Sequence, residues 1–285
     1  MNAHTGAGYV VPADMNIPTA GAIAWWRLKG TVSHSDLLAA WSSAGLDTSL
    51  LPLPPSPEQG LRRALKEQEE RRVMARPLGK KGSFALVEES LTGKDLEYRT
   101  LFKVSVDLVG NLHFEDATSA HASHEQQIRE AYAKHVSALS QGDISGWLVE
   151  LAYHVKAVSL RDTGGIYFVP STQLQLWRTV VGVLREVSEA QMFEVPALKS
   201  SEAVDAILDA IATEAKDEIA KLEAALENDM GKRGLTNRSA RAGAMLEKLK
   251  AYEALLGKGV ETIGQRLIDL QIELSTAALA AGGDE

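Results

Sequence analysis

Cysteine is absent from these 285 residues. Its absence excludes a disulfide scaffold, a thiolate nucleophile, Cys-ligated zinc and iron–sulfur clusters together. It also fits a reducing compartment. Long apolar runs are missing too: none approaches the roughly 18 residues needed to span a bilayer. No basic residue precedes Arg27, so no charged n-region leads an apolar stretch. The expected setting is the cytoplasm, without a membrane partner. A basic surplus is also lacking, with 30 Lys and Arg against 38 Asp and Glu and a net charge of −8. That is a poor overall balance for nucleic-acid binding, so any such contact has to come from segregated charge. The 6% aromatic share includes five Trp, and 45% of residues are hydrophobic, which predicts a packed core.

The first 20 residues carry Gly, Ala, Asn and Pro without an amphipathic period and read as a loose arm. A short strand over 23–28 follows, then a helix over 36–44 capped by Ser35. Ser56-Pro57-Glu58-Gln59 starts a second helix, with Ser at the cap, Pro in the first turn and Gln three residues on. Val73 to Arg76 and Phe84 to Val87 flank the turn-like Gly79-Lys80-Lys81-Gly82 and predict a hairpin. From Tyr98 to Val106 apolar and polar residues alternate, placing Tyr98, Thr100, Phe102, Val104 and Val106 on one face. Leu112 to Phe114 returns as the partner strand.

A helix over 125–139 and another carrying Ile144, Trp147, Leu148, Leu151 and Val155 precede two β runs around Gly164-Gly165. A helix from Ser171 follows, and a strand that ends at Pro196. This order is that of a winged-helix-like unit with Arg161 at the wing tip. Against it, the helix before the wing offers only His154 and Lys156 as basic groups.

The tail gives the most regular pattern. Apolar residues from Val204 to Leu226 recur every three or four positions, and do so again from Ala242 to Leu256 and from Val260 to Leu274. Spacing of this kind predicts coiled-coil-like packing along a seam. Residues 202–229 hold nine acids against Lys216 and Lys221, whereas 232–250 hold six bases against Glu247. The opposite charges favour an antiparallel helical hairpin. An intramolecular hairpin and a partner-binding surface both satisfy the seam.

Catalytic motifs are weak. Asp162-Thr163-Gly164 matches the aspartic-protease tripeptide, but a second copy is missing and a polar turn explains it. Gly79-Lys80-Lys81-Gly82-Ser83 lacks the spacing of a phosphate loop, and His121-x-x-His124-Glu125 lacks zincin spacing. No cofactor or metal is predicted, and no enzymatic role.

The run from Leu160 to Pro170, with its Gly-Gly-Ile-Tyr-Phe-Val-Pro stretch, a following helix, a short strand and long charged helices, resembles uncharacterised proteins of tailed phages and mobile elements. These are grouped as a domain of unknown function, and the similarity covers about residues 120–275. The resemblance implies a phage or plasmid origin and life in a bacterial cytoplasm. It carries no site residues.

The expected fold is α+β: a mixed unit over 1–118, a helix–hairpin–helix unit over 119–198 and a helical tail over 199–285. The leading functional expectation is a non-enzymatic interaction or scaffolding protein acting through its C-terminal helices. Its interface would be Leu249, Leu256, Ile263, Leu267, Leu270 and Leu274. The alternative is a nucleic-acid-associated accessory protein, using Arg72, Arg76, Lys80 and Lys81, the tip at Arg161, or Arg238 and Arg241.

Overall fold

The computed structural model describes residues 18–69, 72–92, 95–162, 164–227, 231–257 and 261–280. Most of the expected N-terminal arm, Thr163 of the Asp-Thr-Gly run and Val260 lie outside these. The chain opens with β1 (Thr19–Arg27), β2 (Val32–Ser33), α1 (His34–Ser43) and α2 (Pro57–Glu67). Four strands follow: β3 (Val73–Pro77), β4 (Ser83–Thr92), β5 (Asp95–Val106) and β6 (Leu112–Glu115). Then come α3 (Ala122–Ser137), β7 (Ala138–Leu139), α4 (Gln141–His154), β8 (Val158–Ser159) and β9 (Tyr167–Pro170). The chain finishes with α5 (Leu174–Val187), β10 (Gln191–Leu198), α6 (Ser201–Glu227), α7 (Lys232–Leu256) and α8 (Glu261–Ala280). The fold is α+β, as the sequence predicts.

These elements group into two compact units, each assembled from separate stretches of chain. One holds the described residues of Met1–Arg27, Glu150–Thr179 and Met192–Glu285, the other Leu28–Val149 and Val180–Gln191. This grouping differs from the three consecutive segments read along the sequence, because pairing partners far apart in the chain decide it.

In the second unit, α2 begins with a full capping box. Gln59 N–H donates to the Ser56 hydroxyl, and Ser56 N–H donates to the Gln59 side chain. Its buried face of Leu61, Ala64 and Leu65 joins Ile128 and Tyr132 of α3 over Phe84, Leu86, Phe102 and Val104 of an antiparallel sheet. That sheet has the order β3-β4-β5-β6. The expected alternation along β5 fails at one point. Leu86 pairs with Phe102 but Val87 pairs with Thr100, so the ladder skips Leu101. A bulge of this kind re-aims every side chain beyond it. Tyr98 and Thr100 are exposed and face away from Phe102, while Leu101 packs toward the core.

The first unit contains a four-stranded sheet of order β10-β1-β9-β8. Gly21 faces Pro170 across β1 and β9, and every residue of β9 is buried. The β8–β9 hairpin is therefore no free wing: β1 adds to its other side and encloses β9. β10 runs through Pro196 to Leu198, because an edge strand has a side on which a missing N–H costs nothing. Beside this sheet α6, α7 and α8 pack together. Ile211, Ala215, Leu222, Ala242, Met245, Tyr252, Leu267 and Leu270 are among the buried residues of one shared core. α7 ends at Gly257, whose φ of 71° closes the helix in the left-handed region.

Candidate nucleic-acid interface

α7 is positioned by its inner face. Ala242, Met245, Leu246, Leu249 and Tyr252 are buried, and Ser239 meets Ser275 of α8 with hydroxyls 2.8 Å apart. A Cβ at Gly243 would lie 3.0 Å from the Gln271 amide, so α7 and α8 approach closely there. With the inner face set, the helical period fixes what points out. Arg233, Asn237 and Arg241 recur at i, i+4 and i+8 on the exposed ridge, with Ala240 and Ala244 between them. Arg238 is half-buried on the flank of that ridge. α7 carries no acid from Lys232 to Leu246. Among the described residues, neither Arg238 nor Arg241 forms an ion pair. Long cationic side chains beside small ones, together with an amide, suit a surface that approaches phosphates and base edges.

The other basic surfaces are paired in part, Arg62, Arg63 and Lys81 with acids. Arg62 pairs with Glu58 at 2.9 Å, and Lys81 stands 3.6 Å from the same carboxylate. Arg63 donates to Asp143 at 2.7 Å. Arg76 lies over the Tyr98 ring, 5.7 Å from its centroid. Arg72 precedes β3 and its carbonyl accepts from Glu89 N–H at 2.6 Å, while Lys80 is exposed in the β3–β4 turn. Arg161 sits exposed in the β8–β9 connection, where its carbonyl accepts from the Ser159 hydroxyl and from Gly164 N–H.

The expected helix interface is spent inside the chain. Leu249, Leu267, Leu270 and Leu274 are buried in the core shared by α6, α7 and α8, and Leu256 and Ile263 pack against it. The seam read from the sequence is thus satisfied largely within the chain, with Leu256 and Ile263 only partly buried at its margin. What α8 leaves outside is a different stripe, Ile268, Ile272 and Leu279.

Among the described residues, opposite charges between the tail helices meet at two places. Lys248 of α7 donates to both Glu214 oxygens of α6, at 2.7 and 2.8 Å, and Arg266 of α8 donates to Glu223 of α6 at 2.7 Å. Burial pushes the Lys248 ammonium below its ordinary pKa, and Glu214 opposes that shift. His121, singled out with His124, accepts from Thr118 N–H through Nδ1 and caps its own turn. Among the described residues, no group of three or more His, Asp or Glu converges on a metal-binding point. No described helix is long and apolar enough to cross a membrane.

Sequence reading reached Arg238 and Arg241 but not Arg233 or Asn237. It placed Lys232, Arg233 and Gly234 in a helix-breaking turn, whereas Gly231 caps α7 and the helix starts at Lys232. Carrying the spacing of Arg241 back by four and eight residues would have found both.

No curated protein and no solved structure is significantly similar to this chain. One family model does match, over residues 20–283, well beyond the 120–275 expected. The chain belongs to that family, DUF6744, a family of unknown function.

Proposed function

We propose that this chain is a non-enzymatic, nucleic-acid-associated accessory protein whose C-terminal helices carry its contact surface, with α7 meeting the phosphates. One arrangement carries the reading: Arg233, Asn237 and Arg241 share an exposed ridge with two alanines on an acid-free stretch of helix. The net charge of −8 does not oppose it, because screening confines electrostatic contact to roughly 10 Å at ordinary ionic strength. A role of this kind in a bacterial cytoplasm, on behalf of a phage or mobile element, fits the resemblance drawn from the Gly-Gly-Ile-Tyr-Phe-Val-Pro run.

The test is fluorescence anisotropy of labelled single- and double-stranded oligonucleotides across a salt series. Each phosphate contact contributes about 0.9 to the slope of log K against log salt on duplex DNA. Replacing Arg233, Arg238 and Arg241 by Ala together should flatten that slope and weaken binding. Salt-independent binding, or a triple variant that binds like the parent, would refute the assignment of α7.

A protein partner is the second reading, favoured by the exposed Ile268, Ile272 and Leu279 on α8. Ile272→Asp leaves the buried leucines in place. If the second reading holds, it abolishes capture of a partner while oligonucleotide binding persists.

A further inference from the structure

The outer face of the β3–β6 sheet, away from Phe84, Phe102 and Val104, carries polar side chains in register. Ser83, Ser105 and His113 stand opposite one another across β4, β5 and β6, and Lys103 stands opposite Glu115 on the adjacent rung. Directly opposed residues bring their Cβ atoms within about 5 Å of each other. The small Ser83 and Ser105 leave a depression between the longer Lys103 and His113, and Lys80 reaches it from the β3–β4 turn. The result is a pocket of about 190 Å³ whose lining residues are these six with Leu78 and Val104, the last with its side chain in the core behind.

The donors in this pocket are largely unspent. Among the described residues, the Lys80 ammonium and the Ser83 and Ser105 hydroxyls have no hydrogen-bond partner. Lys103 donates to Asp116 at 3.0 Å, but Asp116 is exposed and such a surface pair is readily exchanged. His113 contacts Asp107 through Nε2 at 3.2 Å, which holds the imidazole beside Ser105. Asp107 is itself fixed by the backbone N–H and side chain of Asn111, which keep its carboxyl far below the usual range. Two ammonium groups and two hydroxyls around a shallow cavity match a tetrahedral oxyanion, with the His113 ring as part of the wall. Glu115 is the one acid lining the pocket, and it accepts a donor instead.

We propose that this pocket binds the phosphate end of a small phosphomonoester, with Lys80, Lys103, Ser83 and Ser105 on the phosphate and Glu115 accepting from a hydroxyl of the remainder. The volume sets the scale: at roughly 30 Å³ per water it corresponds to about six waters, enough for a phosphate and a few further atoms. The proposal is independent of the α7 ridge, and variants of either leave the other intact.

Isothermal titration of the full chain at constant ionic strength, with inorganic phosphate and with glycerol 3-phosphate, separates the sources of the shared chemistry. Saturable binding of glycerol 3-phosphate, tighter than inorganic phosphate, is the expected result. Lys80→Ala removes an exposed side chain and should weaken both ligands by about tenfold, the scale of one charge-assisted contact. Ser105→Ala should weaken both as well, and Glu115→Gln the ester alone. Circular dichroism checks that each variant keeps the parent fold. Absence of saturable binding to either probe, or a folded Lys80→Ala variant that binds like the parent, overturns the site. Equal affinity for the two probes, unmoved by Glu115→Gln, overturns the monoester class.

Discussion

Lys248 of α7 donates at once to Glu214 of α6 and to the Ala157 carbonyl, which it reaches at 2.6 Å, while its own side chain is 7% exposed. One turn further on, the Tyr252 hydroxyl donates to the Lys156 carbonyl at 2.8 Å. Two neighbouring carbonyls after α4 are thus held by one face of α7, at Lys156 in a left-handed conformation (φ 56°).

Breaking this pair from one side should be more damaging than replacing it whole. Glu214→Ala leaves a buried ammonium uncompensated and should cost about 3 kcal/mol. Lys248→Met combined with Glu214→Leu should cost clearly less, because neither charge remains to be desolvated. Urea unfolding of the three proteins checks the order, and a double variant less stable than Glu214→Ala contradicts it.

The core leucines test where the seam is spent. Leu270→Ala empties a fully buried site in the α6–α8 core and should lower unfolding free energy by about 2–5 kcal/mol. The loss should be independent of protein concentration. A concentration-dependent loss would mean that a second molecule completes the seam.

Gly21 has no room for a side chain. A Cβ there would stand 2.1 Å from the Val169 carbonyl oxygen on β9. Gly21→Ala must push the two backbones apart in the middle of the sheet, and we expect a loss of about 1–3 kcal/mol, the range of overpacked cores. Thermal unfolding reads it; an unchanged midpoint would show that the strands yield freely.

Acid should act through Asp143. Burial raises its pKa, but hydrogen bonds from Arg63 and from the backbone and hydroxyl of Ser140 outweigh burial and hold the carboxyl below its ordinary 3.8. A depressed folded pKa gives stability that is complete above the unfolded value and is lost as pH falls through the folded one. The urea midpoint should therefore drop below about pH 4. Asp143→Asn should lower the midpoint at neutral pH and flatten that acid limb; an acid limb unchanged in the variant assigns it to other carboxylates.

What the sequence determined by itself is local. The capping box at Ser56 and Gln59, the two β runs around Gly164-Gly165 and the apolar period of the three tail helices follow from side chains a few residues apart, whose chemistry acts within a turn or along one strand. The unspent basic patch on α7 was half visible for the same reason, since Arg238 and Arg241 lie inside the helical period but Arg233 sits next to glycines. Tertiary structure decided the rest. Whether the leucine seam faces a partner or the chain itself depends on where α8 packs, and periodicity is blind to that. The pairing of β1 with β9 joins residues about 150 positions apart. The bulge at Leu101 depends on which β4 residue Phe102 meets. The row of Ser83, Ser105 and His113 exists only because three strands align in one register, so no spacing along the chain announces it.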